Sequence, residues 1–371
     1  DASCDGKCGA AGGGGPAAPM RCKSDWDCSL AGVCLRSGEC KCDPWASGRD
    51  CSYLNFMPVD RSRLGYLDPE HTSWGGKALL GRDGQWHMFV AEIRCGREFP
   101  PSATRCGLWN WKTTSQVAHV VSSHVDGPYK RRSLVLPEMH HNPAVHTFGD
   151  AAASHSTWWL YTISGASGPI TVTSSDDQGE TWSPEVEVAP HENPGPILHS
   201  NGSMTLLYRS DYPDLPAPTC SIESIMSYQC DGPKGKCRGG GRPVFNHTGE
   251  DPSVFVDHRG YWHMLLNALP YKCVPKLQQG AHAWSRDGVT WSEPRVGAFN
   301  TTVEFTDGGS MTCARRERPQ MVMDPSTGRP LALVSAVTNC PKEAVGPSFR
   351  GGDDSFTLVQ RMQQGSEGMY L

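Results

Sequence analysis

Five times along this 371-residue chain a short polar, Pro- or Gly-rich anchor is followed by an apolar strand, a Gly turn and a second, richer apolar strand. The anchors are Trp74-Gly75-Gly76, His141-Asn142-Pro143, Glu192-Asn193-Pro194, Glu250-Asp251-Pro252 and Glu317-Arg318-Pro319, and their central residues lie 67, 51, 58 and 67 positions apart. A repeat of that length holding several short strands is the signature of a propeller, in which each blade is a small sheet that cannot bury its faces alone. The internal register is regular: nine residues separate Gly75 from Gly84, Asn193 from Gly202 and Asp251 from Gly260, and ten separate Arg318 from Gly328. The second repeat carries an insertion in the same hairpin, Gly149 to Ser156. Aromatic and β-branched runs bounded by Gly argue for strands, and no stretch sustains a 3.6-residue period. The expected fold is all-β: a five-bladed β-propeller over residues 65–371, preceded by a Gly/Ala-rich tether over 1–20 and a small cysteine-rich module over 21–54.

A third strand and a polar hairpin close each blade, with Asp-Gly and Gly-Pro marking the turns. Two hairpins, Ser175 to Trp182 and Ser285 to Trp291, resemble the Asp box of sialidase-type propellers. That motif sits on the outer turn, far from the channel, so its expected role is structural.

Charge is nearly balanced, with 34 Lys and Arg against 39 Asp and Glu, which leaves no basic footprint for nucleic acid or an anionic membrane. No apolar run reaches the length of a membrane span. Sixteen cysteines would be a liability in a reducing cytosol. The sequons at Asn201, Asn246 and Asn300 fall in expected loops. With a chain that begins at Asp1 as a processed protein would, these features point to a secreted, extracellular or cell-wall glycoprotein.

Eight cysteines crowd the first 51 residues. The spacing of Cys22, Cys28, Cys34, Cys40, Cys42 and Cys51, with Gly48 before the last, resembles the epidermal growth factor-like module. The resemblance implies pairing of Cys22 with Cys34, Cys28 with Cys40 and Cys42 with Cys51, bridges that would hold a unit too small to bury a core. Zinc ligation is the competing reading of the cysteines. The acidic preface that binds calcium in such modules is absent before Cys22, so no calcium is expected. Cys4 and Cys8 could close a loop in the tether. In the propeller, Cys95 with Cys106 and Cys313 with Cys340 are the expected bridges, and the pairing among Cys220, Cys230, Cys237 and Cys273 stays open.

The chemistry should lie at the mouth of the channel. If each anchor starts the innermost strand, the antiparallel second strand ends at that mouth and brings Glu92, Arg209 and Asn267 beside the anchors; the third strand brings Ser115 and His282. The expected substrate-binding set is Trp74, His141, Asn142, Asn193, Arg209, Glu250, His282 and Arg318. Carboxylates, amides and an aromatic platform suit sugar hydroxyls, and a glycosidase needs one protonated and one ionised carboxyl.

Glu250 to Asp257, followed by Gly260-Tyr261-Trp262, resembles the Asp-Pro-initiated inner strand of five-bladed glycoside hydrolases of the family 43 and 32 type. The segments Gly280 to Ser285 and Arg315 to Pro319 also resemble motifs of that superfamily, and the likeness covers about residues 65–371. Family 43 hydrolases place aspartates at the anchors of blades one and two and an acid glutamate at blade three. Here those anchors carry Gly75 and Asn142, neither of which can act as a base, and only Asp251 keeps the Asp-Pro form. The resemblance implies paired-carboxylate hydrolysis of an extracellular or cell-wall polysaccharide. Asp251 would be the base, Glu192 or Glu317 the acid, and Glu92 would supply the charge missing from blade one. Arg318 beside Glu317 would hold it ionised and favour Glu192 as acid. An Asp-Pro strand cap and a simple Glu317–Arg318 ion pair are the structural alternatives.

His140, His141, His146 and His155 suggest a metal site, but lack a carboxylate partner at ligand spacing; the matched His87 and His263 suggest packing. No metal or other cofactor is expected. The alternative to hydrolysis is a non-catalytic propeller that binds glycan or assembles into matrix, with the cysteine-rich module engaging a protein partner or a further copy. Open carboxyls about 5 to 9 Å apart would favour hydrolysis, whereas carboxylates tied up by Arg209 and Arg318 would favour binding.

Overall fold

A computed structural model describes residues 21–94, 107–148, 156–212, 223–269, 279–351 and 354–365. The 149–156 insertion, apart from Ser156, lies outside them, as do the tether, His155, Cys95, Cys106, Cys220 and Cys273.

The chain forms a five-bladed propeller. Blade one is the antiparallel sheet His71–Leu80, Trp86–Arg94, Ser115–Ser122 and Lys130–Leu136. Blades two, three and four repeat this four-stranded order, with first strands His140–His146, Glu192–Leu198 and Gly249–Val256. Blade five has three strands of its own, Arg315–Met323, Pro330–Thr338 and Ser355–Arg361. Its outer edge is covered from the front of the chain. Phe56 bridges Met362, Tyr66 bridges Thr357, and Met57 N–H donates to the Arg361 carbonyl at 2.8 Å. Residues ahead of position 65 therefore help close the ring, occupying a strand edge that would otherwise offer unpaired backbone.

Apolar side chains pack each blade on the next. Phe89, Val145 and Trp158 join blades one and two, Tyr161 and Leu206 join two and three, and Leu207 and Met264 join three and four. Blade five returns to blade one through Val322, Val334 and Met88. Each such fully buried side chain contributes roughly 1.5–3 kcal/mol, so the ring is held by its interfaces rather than by any single blade.

The N-terminal segment is stapled by Cys22–Cys34, Cys28–Cys40 and Cys42–Cys51, which is the pairing the resemblance implied and excludes zinc at these sulfurs. In the propeller Cys313 pairs with Cys340, and Cys230 with Cys237, settling half of the open connectivity. The segment packs against blades four and five. Trp45 lies edge-on to Phe255 and His263, while Arg259 reaches across to Asp43 at 2.5 Å and to the Leu30 carbonyl. Both Asp-box hairpins adopt one hydrogen-bond scheme. Ser175 and Ser285 donate to Asp177 and Asp287, and Trp182 and Trp291 donate their indole N–H to the Gly179 and Gly288 carbonyls.

His87 and His263 are packing residues, each paired with an imidazole on the next strand. His87 Nδ1 lies 2.9 Å from His119 Nε2 and His263 Nδ1 lies 3.0 Å from His282 Nε2, with stacked rings in both blades. This corrects the expectation for His282: it is fully buried against His263, Trp45 and Trp284 rather than at the channel mouth, because these rings enclose its side chain. Burial lowers His119 to about 3 and holds His282 well below the usual histidine range. The unfolded chain takes up these protons near pH 6.5 while the folded one refuses them, so stability is full above about pH 7 and declines as pH falls. The unfolding free energy from urea titration should therefore drop between about pH 7.5 and 5.5, by up to ~1.4 kcal/mol per pH unit for each such histidine, and the midpoint with it. His282→Phe should flatten the slope; an equal midpoint at both pH values would contradict neutral pairs.

Candidate functional site

The central residue of every anchor has a left-handed backbone: Gly75 (φ 70°), Asn142 (55°), Asn193 (55°), Asp251 (59°) and Arg318 (57°). In each blade the ladder between first and second strands shifts register at this residue, as at Glu192/Gly195, Glu250/Ser253 and Glu317/Gln320. A bulge of this kind re-aims a side chain out of the sheet plane. The following Pro, at 143, 194, 252 and 319, costs no ladder bond there because the bulge leaves that position unpaired. Asn and Asp tolerate positive φ, whereas Arg does so only at a cost of roughly 1–2 kcal/mol.

The bulges place their side chains in one hydrogen-bonded chain around the axis. Asn142 Nδ2 donates to Asn193 Oδ1 at 2.7 Å, and Asn193 Nδ2 donates to Asp251 Oδ1 at 2.8 Å. Arg318 donates to Asp251 from Nη1 at 2.5 Å and from its backbone N–H at 3.3 Å. Asp251 and Arg318 are 5% and 4% exposed. Blade one carries Gly because a Cβ on Gly75 would lie 2.7 Å from Arg318 Cβ. The missing aspartate of blade one and the arginine of blade five are thus one steric arrangement.

Above this ring opens a cavity of about 640 Å³. It is bordered by Trp74, His141, Asn142, Glu192, Asn193, Arg209, Glu250, Asp251, Glu317 and Arg318, so most of the expected site residues do meet. Arg209 gathers three carboxylates: it pairs with Glu192, with Glu223 at 2.7 Å and with Glu250 at 3.3 Å. Arg315 Nε donates to Glu317 at 2.8 Å. His141 is buried, 2.7 Å from Ser115 Oγ, under the stacked ring of Trp111; burial and the Arg318 charge hold it well below the usual histidine range.

Glu250 stands out electrostatically. One oxygen each from Glu250, Asp251 and Glu317 lie within 4.8 Å of one another, a spacing able to hold a cation. Burial, reinforced by the charges of Asp251 and Glu317, raises Glu250 to about 8, so it keeps its proton near neutrality. Arg209 pulls the other way, but makes its shorter contacts with Glu192 and Glu223. Stability therefore falls as pH rises from the ordinary carboxyl range to about 8, where the buried group must ionise, opposite in sign to the histidines.

Glu92 does not reach the cavity, correcting its expected catalytic role. It is fully buried, accepting from Tyr66 Oη at 2.5 Å, Gln116 Nε2 at 3.0 Å and Arg131 Nε at 3.1 Å. Its register beside the anchor is as expected, opposite Ser73, but Tyr66 of the closing segment and Arg131 of the fourth strand capture the side chain first. The histidines of blade two also disperse: His140 pairs with Glu185, His141 with Ser115 and His146 with Lys77. Sequence reasoning missed Trp109, Trp111, Glu223 and Arg315, which border the same cavity. Trp109 is 78% exposed, and the Trp-Asn-Trp run between the second and third strands of blade one was its visible signal.

Gly75→Ala should lower stability by about 2–4 kcal/mol, from positive φ and the clash with Arg318, measured by urea unfolding. A loss below about 0.5 kcal/mol would mean that the ring tolerates a side chain there.

No protein-family model matches the chain, and no curated protein matches it in sequence. Solved structures do share its fold. A protein of unknown function from Dyadobacter fermentans is 12% identical with a TM-score of 0.54, covering 83% of this chain and 100% of its own. A family 117 glycoside hydrolase from the marine bacterium Zobellia galactanivorans is 12% identical with a TM-score of 0.54, covering 84% and 90%. A family 43 β-xylosidase/α-arabinofuranosidase from a compost microbial metagenome, solved in complex with xylotriose, is 10% identical with a TM-score of 0.55, covering 84% and 97%. At these identities the likeness is one of fold.

Proposed function

We propose that this chain is an extracellular carbohydrate-binding propeller whose axial cavity holds a saccharide without cleaving it. The observation that carries this reading is the arginine pairing of the carboxylates: Asp251 is bound by Arg318, Glu192 and Glu250 by Arg209, and Glu317 by Arg315. A base must reach water or substrate, and Asp251 is buried with both oxygens engaged. The cavity is nonetheless open and walled by Trp74, Trp109 and Trp111, with amides and charged groups on its floor. Aromatic faces beside convergent polar groups suit a sugar ring and its hydroxyls. Polysaccharide or glycoprotein glycan is the ligand class.

One observation favours a second reading. Glu250, protonated near neutrality, has the state a general acid needs, a role it takes in preference to Glu192 or Glu317. In that case binding of substrate would have to release Asp251 or Glu317 from its arginine.

The N-terminal segment over 21–54 is proposed to be an epidermal growth factor-like module, preceded by a tether and followed by the propeller. Its three bridges and the exposed Asn201, Asn246 and Asn300 support secretion and glycosylation. A protein partner or self-assembly through this module is proposed as its role.

Titration of xylan, arabinan and galactan oligosaccharides by calorimetry should show saturable binding to at least one, weakened about tenfold or more by Trp109→Ala at an exposed position, with an unchanged urea midpoint as the check on folding. Reducing ends should not accumulate. Their release, abolished by Glu250→Gln, would replace the binding reading with hydrolysis; no binding to any glycan would remove both.

A further inference from the structure

The far end of the channel holds a second cavity, of about 440 Å³, lined by the other ends of the first strands. Its lining is mixed, and four blades contribute apolar side chains to it: Leu79, Ile197, Val254 and Met321. Two bases face into this space. Lys77 Nζ lies 3.0 Å from His146 Nδ1 and 3.3 Å from Nε2, and both side chains are half-buried. Among the described residues no carboxylate pairs with either of them. Asp324, the acid that borders this cavity, is turned to its own loop, accepting from Ser326 N–H at 2.8 Å and Oγ at 2.6 Å.

An ammonium half-buried beside a second base, with no carboxylate pairing with it among the described residues, is an unbalanced arrangement. Burial lowers Lys77 to about 7, and burial together with the Lys77 charge holds His146 well below the usual range. What the site lacks is a negative head group, and what its walls lack is an apolar body. We propose that this cavity binds a small amphipathic carboxylate, its head group on Lys77 and His146 and its apolar chain along Leu79, Ile197, Val254 and Met321. The site is separate from the axial cavity at the anchor end and does not depend on the carbohydrate reading. A sugar would leave its hydroxyls unpaired on these walls, and an inorganic anion would leave the walls empty.

The test uses the full chain and octanoate, with 1-octanol as the control for the head group. Calorimetry at about pH 6.5, where the ammonium is charged, should show one-to-one binding of octanoate. Binding should be at least about tenfold weaker for octanol and for octanoate with Lys77→Met. Affinity should fall as pH is raised to about 8.5, where free Lys77 has lost its proton while octanoate stays ionised. Lys77→Met preserves volume and removes the uncompensated amine, so it should fold at least as well as the parent. A second readout needs no variant: octanoate should protect Lys77 from carbamylation by cyanate, followed by peptide mass spectrometry. Absence of both saturable binding and protection would overturn the proposal. So would equal affinity for octanol, or for Lys77→Met, since either marks a non-specific apolar sink.

Discussion

The contact between Asp251 and Arg318 organises the middle of this molecule. Two charged side chains, each about 95% buried, meet on adjacent inner strands, with a left-handed backbone at both positions. Such a pair tolerates burial only when the remaining donors and acceptors are filled. Asn193 and the Arg318 backbone fill them on the aspartate, and Asn142 extends the chain of amides. Gly75 completes the circle by leaving out a side chain. The five blades are therefore tied at the axis by polar contacts and at their faces by apolar packing, and the bulges that allow the first do not disturb the second.

This arrangement separates the two ends of the channel chemically. At the anchor end the bulges gather more carboxylates than arginines, and burial, reinforced by that crowding, keeps a proton on Glu250. At the other end apolar side chains line much of the cavity, and Lys77 faces His146 with no carboxylate pairing with either of them among the described residues. One end is an excess of acceptors and the other a lone donor. Both imbalances follow from where the bulge falls along each first strand.

Much of this was legible in the chain. The five anchors, the nine-residue spacing to the turn glycine and the matched His87 and His263 all follow from repetition, because each blade solves the same packing problem with the same local pattern. Arg209 beside Glu192 and Asn267 beside Glu250 were found by strand register alone. Register failed for Glu92 and His282 because it places a residue along a strand but does not say what else competes for its side chain. Tyr66 and Arg131 captured Glu92, and Trp45, from far earlier in the chain, covers His282 and its partner. Trp109 was missed for the converse reason: it stands on a short 3-10 helix between strands, Leu108–Asn110, with no repeat to mark it.

The sequence by itself determined the number of blades and the position of each anchor, since both depend on local spacing, and the likeness of the N-terminal cysteine pattern to a known module implied its pairing. Tertiary structure alone decided that Glu250 keeps its proton, why blade one must have glycine, and how residues 56–66 close the ring. Those outcomes depend on groups that meet across blades, at separations of 67 residues for Asp251 and Arg318 and 282 or more where the closing blade meets the first. No local pattern encodes the field that such distant charges create at one point.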